Sequence, residues 1–232
     1  IKMLEQVINL SPDDNETRWL LSRTFSAIHI WDKALETIEG KNTTLIKENS
    51  ASVIILTYNS AKTISKCLQS VYENLRHIDE VIIVDNNSED KTCSIIEKFI
   101  VGKNQFKFIK NQNNIGFSAG TNVGIKASKN PFVVLLNPDT IATKQWIDRL
   151  IFHFNDSEIA AVGPVSNYVA GYQKMELYLK NIPDNVALNE ITKLIYNENK
   201  GKSVNTKLLI GFCAAIRRNV LDELGLLDEN LF

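Results

Sequence analysis

The chain has 232 residues, a formal net charge of −1, 44% hydrophobic and 23% charged residues, the ordinary balance of a globular protein. That length holds one good-sized domain, or one domain with a small appendage. Near-zero charge gives no electrostatic footprint for nucleic acid or an anionic membrane surface, and the longest uncharged apolar run, Leu208 to Ile216, is too short to span a bilayer. Cys67, Cys93 and Cys213 are scattered, with no CxxC pair or metal spacing. With no apolar leader segment at the start, they fit a reducing, cytoplasmic setting. Abundant Asn, Lys and Ile associate by composition with a bacterial source. The sequence opens on Ile1 and closes on Leu231-Phe232, so it reads as a piece cut at both ends.

Residues 1–40 differ from the rest. Leu21, Phe25 and Ile28, then Trp31, Ala34, Leu35 and Ile38, place apolar stripes on two short helices. Ser11-Pro12-Asp13-Asp14-Asn15 marks a helix start before them. The NLSPDD turn and the WDKALE segment resemble the end of a tetratricopeptide array. An ordinary helical extension is the equal alternative, since one repeat cannot bury its own face. Such helices would offer a docking surface to a protein partner. Residues 41–50 are polar and form a linker, which leaves residues 51–232 as the main domain.

From Ala51 strands and helices alternate. Ser52–Leu56, Val81–Val84, Phe106–Ile109 and Phe132–Leu136 are buried strands, and Ile159–Val162 a fifth. Helix faces are marked by Ile64, Cys67, Leu68, Val71 and Leu75, by Thr92, Ile95, Ile96 and Phe99, by Phe117–Ala127, and by Ile147, Leu150, Ile151 and Phe154. Continuous apolar strands between amphipathic helices predict a mostly parallel α/β sheet covered on both faces. Beyond Pro164 the expectations are irregular or edge structure over Ser166–Lys180, a helix over Val186–Tyr196, another buried strand over Leu208–Ile216 and a short helix over Asn219–Leu224.

Polar clusters follow each of the first four strands: Thr57-Tyr58-Asn59, Asp85-Asn86-Asn87-Ser88, Asn111–Asn114 with Gly116, and Asn137-Pro138-Asp139. In an open α/β sheet the carboxyl ends of the strands share one edge, and ligands bind there. Asp139 and Asn137 offer oxygen ligands suited to Mg²⁺ or Mn²⁺. Such a pair binds weakly alone, so a diphosphate ligand is implied as the rest of the shell. A plain Asn-Pro-Asp turn is the bland alternative. Gly116, Gly120 and Gly124 are spaced by four, which puts them on one helix face for close packing on the sheet. Asn114 and Gly116, at the start of that helix, are expected to meet a ligand, with free N–H groups that favour phosphate.

SVIILTYN, VIIVDNNSEDKT, NNIGFSAGTNVG and LLNPDT, in that order, resemble the family 2 glycosyltransferases of GT-A fold, a Rossmann-like architecture. The likeness is nearest to rhamnosyltransferase-like bacterial members. The resemblance covers residues 51–232. It implies transfer of a sugar from a nucleotide-diphosphate donor, with inversion, to a glycan, lipid-linked or protein acceptor. The setting would be cytoplasmic, including the inner face of the membrane, in the synthesis of surface polysaccharide or other glycans. It places Thr57, Tyr58 and Asn59 against the nucleoside, Asp85 and Asn86 at the base, and Asn114 and Gly116 near the ribose and diphosphate. Asn137 and Asp139 match the metal motif, with Asn in place of its first Asp. The general base is expected beyond Phe232, so the resemblance implies that this chain binds donor but transfers poorly. Asp228 and Glu229 match the turn before the base. Arg217 and Arg218 either meet phosphates or merely begin a helix.

Two alternatives stay open. A sugar nucleotidyltransferase shares the frame but carries a Gly-rich, Arg-containing loop after its first strand, and Thr57–Lys62 has neither residue. A non-catalytic nucleotide-sugar-binding module is the other. His29, His77 and His153 are expected to be structural or surface residues.

Overall fold

The computed structural model describes residues 49–179 and 186–230. The helices expected over 1–40 and the linker over 41–48 lie outside the described residues. From Ala51 the elements are β1 (Ala51–Thr57), α1 (Ile64–Glu73), β2 (Glu80–Asp85), α2 (Thr92–Ile100), β3 (Phe106–Lys110), α3 (Phe117–Ala127), β4 (Phe132–Leu136) and α4 (Trp146–Phe152). After them come β5 (Ala161–Val162), α5 (Leu188–Asn199), β6 (Cys213–Arg217) and α6 (Arg218–Leu224), with short 3-10 turns at Gly171–Gln173 and Met175–Leu177.

The sheet order is β3-β2-β1-β4-β6-β5. β1 pairs in parallel with β2 and β4, and β2 with β3. The alternation of side chains along these strands splits the core in two. Val53 and Ile55 of β1 join Ile64, Cys67, Leu68 and Val71 of α1, Ile96 of α2 and Trp146 of α4. Ile54, between them in sequence, joins Val84, Val133, Leu135, Ile125 of α3 and Leu221 of α6. Helices therefore cover both faces, as the unbroken apolar strands require. Each fully buried Ile or Val contributes about 1.5–3 kcal/mol.

Two expectations are corrected. The buried strand expected over Leu208–Ile216 is β6 over Cys213–Arg217, and it runs antiparallel to β4, with Leu136 opposite Cys213 and Phe132 opposite Arg217. The strand expected over Ile159–Val162 shrinks to two residues, paired antiparallel to β6. The glycines on α3 act as expected for packing. A Cβ at Gly124 would lie 2.4 Å from Ile54 Cγ2, and one at Gly120 would lie 2.6 Å from Leu56 Cδ1 and 2.9 Å from the Asn86 amide. The missing side chains let α3 settle directly on β1 and β2, which fixes where the start of α3 stands.

Candidate functional site

Parallel pairing brings the ends of β1 to β4, at Thr57, Asp85, Lys110 and Leu136, to one edge. The expected site residues gather along that edge, but they divide into a buried and an exposed set.

The buried set holds the loops. Thr57, Asp85 and Asn86 are 0%, 1% and 2% exposed. Asp85 Oδ1 accepts from Thr57 Oγ1 (2.9 Å) and Ser88 Oγ (2.6 Å). Its Oδ2 accepts from the Ser88 N–H (2.8 Å) and the Cys93 thiol (3.1 Å). A carboxylate has about four acceptor positions, so Asp85 is filled by Thr57 at the end of β1, Ser88 in its own loop and Cys93 on α2. Burial and then the Asp85 carboxylate push the Cys93 thiol up to about 11.

Asn86 works as a junction. Its Nδ2 donates to the Gly116 carbonyl (2.8 Å) and to Asn114 Oδ1 (3.2 Å), and its Oδ1 accepts from Asn111 Nδ2 (2.8 Å). A carbonyl can only accept, so Gly116 fixes which way round the amide sits. The resemblance puts Asp85 and Asn86 at a base. In this structure both side chains are buried and hydrogen-bonded to the loops around them.

The exposed set lies in front. Tyr58 is 47% exposed. Asn59 takes a left-handed backbone (φ 49°), which Asn tolerates. It closes the first loop on the second: the Asn59 N–H donates to Ser88 Oγ (2.8 Å), and Asn59 Oδ1 accepts from the Glu89 N–H (2.9 Å). Gly116 begins α3 at φ 86°, a region open mainly to glycine. Asn114 Oδ1 accepts the Gly116 N–H (3.1 Å). No side chain caps α3, so its first N–H groups stand free at the edge.

After β4, the Thr140 N–H donates to the Asn137 carbonyl (3.2 Å), so Asn137-Pro138-Asp139 is indeed a turn, with Pro at the favoured second position. That turn is pinned to the sheet, since the Asn137 N–H donates to the Phe212 carbonyl (2.8 Å). It carries Asp139 outward. Asp139 is exposed and has no hydrogen bond or ion pair among the described residues. The nearby Cys67 thiol is pushed up to about 12, first by burial and then by the Asp139 charge. Among the described residues no three His, Cys, Asp or Glu side chains converge to hold a metal. An exposed, unpaired carboxylate beside an amide fits a cation whose remaining oxygen ligands come from a diphosphate and water.

Two features escaped the sequence reading. The sequence marks Ser88 only as part of a polar loop, although a serine three residues after an aspartate is a common loop-closing pattern. Asn122, 1% exposed on α3, reaches across the chain. Its Nδ2 donates to the Leu227 carbonyl and to Glu229 Oε1 (both 2.8 Å), and its Oδ1 accepts the Leu227 N–H (3.0 Å). Glu229 is thereby part of a structural clamp. Arg217 and Arg218 stand at the other edge, where Arg217 lies opposite Phe132 at the start of β4. Arg217 donates to the carbonyls of Ile159, Phe154 and Asp156, and Arg218 to Asn130 O and Ser128 Oγ. His77 lies in the loop entering β2, at that same far edge.

Comparison with known proteins places this architecture. The sequence profile described as Glycosyl transferase family 2 matches residues 52–225, well over half of the chain. The glycosyltransferase AglE of Haloferax volcanii is 27% identical over 186 residues, 78% of this chain and 56% of its own. The poly-beta-1,6-N-acetyl-D-glucosamine synthase of Staphylococcus aureus is 32% identical over 110 residues, 47% of this chain and 26% of its own. The chain thus spans about half or less of the length of these relatives. Among solved structures, the mannosyltransferase PcManGT of Pyrobaculum calidifontis, in complex with GDP-Man and Mn²⁺, aligns with a TM-score of 0.59 at 21% identity, covering 78% of this chain and 48% of that one. S. aureus TarS 1-349 with UDP aligns with a TM-score of 0.56 at 23% identity, covering 78% and 51%. These structural likenesses carry the fold, an α/β GT-A sheet. A buried parallel sheet, four polar loops on its carboxyl edge and a matching family profile lead to one conclusion: the chain belongs to glycosyl transferase family 2.

Proposed function

We propose that this domain binds a nucleoside-diphosphate sugar at the carboxyl edge of its sheet, for inverting transfer of the sugar to an acceptor hydroxyl in polysaccharide or glycan synthesis. The observation that carries the proposal is Asp139, an exposed and unpaired carboxylate on a turn pinned to β4, on the same sheet edge as the uncapped start of α3. Support for the donor class comes from fold neighbours whose complexes hold GDP-Man with Mn²⁺, UDP and UDP-GlcNAc. Support for the product class comes from the N-acetylglucosamine polymer synthase among the relatives.

In this reading Tyr58 and Asn59 lie beside the nucleoside, while Thr57, Asp85 and Asn86 hold those loops in place. Asn114 and Gly116 lie by the ribose and diphosphate, and the N–H groups at the start of α3 face the phosphate oxygens. Asp139, with Asn137 beside it, holds Mg²⁺ or Mn²⁺. When bound, that cation offsets the charge that develops on the leaving diphosphate. In the same reading the acceptor hydroxyl gives up its proton to a general base.

Isothermal titration of UDP and GDP, with Mn²⁺ and with EDTA, tests the reading. Binding should require the metal in the wild-type chain, and Asp139→Ala should abolish that requirement together with most of the affinity. Metal-dependent binding that survives Asp139→Ala unchanged would refute it.

A further inference from the structure

Among the described residues the two most exposed aromatic side chains, Tyr168 (94%) and Tyr172 (61%), ride on one loop. Its place follows from strand direction. β5 runs antiparallel to β6, and β6 antiparallel to β4, with Val162 opposite Ala215 and Ala215 opposite Val134. β5 therefore points the same way as β4, and the chain leaves it toward the edge that carries the Asn137-Pro138-Asp139 turn. Hydrogen bonds tie the loop to that turn. Gln173 Oε1 accepts the Ile210 N–H (2.5 Å), and two residues on, the Phe212 carbonyl accepts the Asn137 N–H (2.8 Å).

The loop is held in place, although its tyrosines are not packed. The Ser166 N–H donates to the Gln173 carbonyl (2.8 Å) and the Met175 N–H to the Ser166 carbonyl (3.0 Å), which closes the loop at its neck. Gln173, 5% exposed, also donates from Nε2 to the Pro164 carbonyl (2.9 Å). The Tyr178 hydroxyl donates to the Tyr172 carbonyl (2.6 Å). A side chain as exposed as Tyr168 buries almost no apolar area, so the fold gains little from it. Aromatic rings that a fixed loop presents to solvent mark a place of contact. Tyrosine gives such a loop a large, stiff, amphipathic surface at small cost in side-chain entropy. From Ser166 to Gln173 the loop has no Asp, Glu, Lys, Arg or His, so it offers no charge to a phosphate headgroup or an acidic chain. Neutral ring faces with the hydroxyl of Ser166 and the amide of Asn167 on the same loop suit pyranose rings, which have C–H faces and a hydroxyl rim.

Resting on the donor reading above, we propose that the loop Ser166–Gln173 is an acceptor platform for a neutral glycan chain. Tyr168 and Tyr172 each cover the C–H face of a sugar ring, while the accepting hydroxyl at the end of the chain stands by the Asn137 turn. The substrate class that follows is an oligosaccharide several rings long, in preference to a protein side chain or a bare lipid.

The test titrates the chain with neutral pentasaccharides of glucose, mannose, galactose and N-acetylglucosamine and with the matching monosaccharides, followed by NMR. Each titration is run with and without Mn²⁺ and whichever of UDP and GDP binds. The variants are Tyr168→Ala and Tyr172→Ala, with Tyr168→Phe and Tyr172→Phe as conservative changes that keep the ring. At least one pentasaccharide should bind, more tightly than its monosaccharide and without displacing the nucleotide. Each alanine variant should weaken that binding by about 3–10-fold, the scale of one aromatic contact. Each phenylalanine variant should change it by less than about 2-fold on the same scale. Nucleotide affinity and melting temperature of Tyr168→Ala should stay at their wild-type values, because the ring lies outside the core. Any of four results, with metal-dependent nucleotide binding intact, would overturn this inference alone. They are no binding of any pentasaccharide, equal affinity for the monosaccharide, affinity indifferent to both tyrosines, and displacement of the glycan by nucleotide. Tyrosine-dependent sedimentation with phosphatidylcholine vesicles would also overturn it, by making the loop a membrane contact. A chain that binds no nucleotide would overturn the donor reading and the acceptor role with it.

Discussion

Replacing Asn86 with Asp asks whether that position holds a loop or reads a base. The substitution keeps the shape and exchanges one amide N–H₂ for an oxygen. In the wild type that group donates 2.8 Å to the Gly116 carbonyl and 3.2 Å to Asn114 Oδ1, at a side chain 2% exposed. Losing the two bonds costs about 2 kcal/mol, at roughly 1 kcal/mol each. Pressing a buried carboxylate oxygen against two acceptors adds more, on the order of the 3–5 kcal/mol seen when a buried charge is left uncompensated. The Asn111 bond to the other oxygen becomes charge-assisted and returns about 1 kcal/mol. A net loss of about 4–6 kcal/mol is expected near neutral pH, a large part of the roughly 5–15 kcal/mol typical of a domain. The sign with pH follows. The introduced carboxyl is held protonated in the folded state above the roughly 3.9 of an unfolded aspartate, so the folded state binds the extra proton and stability falls as pH rises from about 4. Urea unfolding of Asn86→Asp at pH 5 and pH 8 should show the larger deficit at pH 8. Hydrogen exchange should quicken at Gly116 and Phe117, and UDP and GDP affinities should drop together. Were Asn86 the base-reading residue, the new carboxylate could accept a uracil N–H. UDP binding would then hold or improve with stability intact, and that result would refute the positioning argument.

Two further outcomes follow from the packing. Gly124→Ala gains up to about 1 kcal/mol in helix propensity, but its Cβ would meet Ile54 Cγ2 at 2.4 Å and Val84 Cγ2 at 3.2 Å. Both neighbours are β-branched and fully buried, so overpacking of about 1–3 kcal/mol should win. A raised denaturation midpoint would show that α3 does not rest on β1 as described. Burial pushes the thiols of Cys67 and Cys213 up to about 12, so an aromatic disulfide reagent at pH 8 should modify them only on unfolding. A raised thiol pKa means the folded state keeps protons that the unfolded state sheds, so stability should be flat from pH 7 to 8 and fall above roughly 9. Rapid labelling of both thiols in native protein would count against their burial.

The sequence alone determined much of the fold. Unbroken apolar runs such as Val81–Val84 and Phe132–Leu136 have one economical solution, a parallel sheet covered on both faces, and β1 to β4 form it. Glycine spacing of four in α3 foretold close packing on the sheet. The polar loops at the strand ends, in their order, disclosed the family. Tertiary structure decided the rest. An apolar run records burial but not direction, so nothing in residues 208–216 showed that β6 would run antiparallel to β4. That one reversal sends Arg217 and Arg218 to the far edge, away from the polar loops at the strand ends. Nor does a polar residue at a strand end reveal which way it faces. Asp85 and Asn86 turn inward because their hydrogen-bond partners, Thr57 on one side and Asn111, Asn114 and Gly116 on the other, come from loops 25 to 30 residues away. Those loops meet only once the sheet has brought its strand ends together.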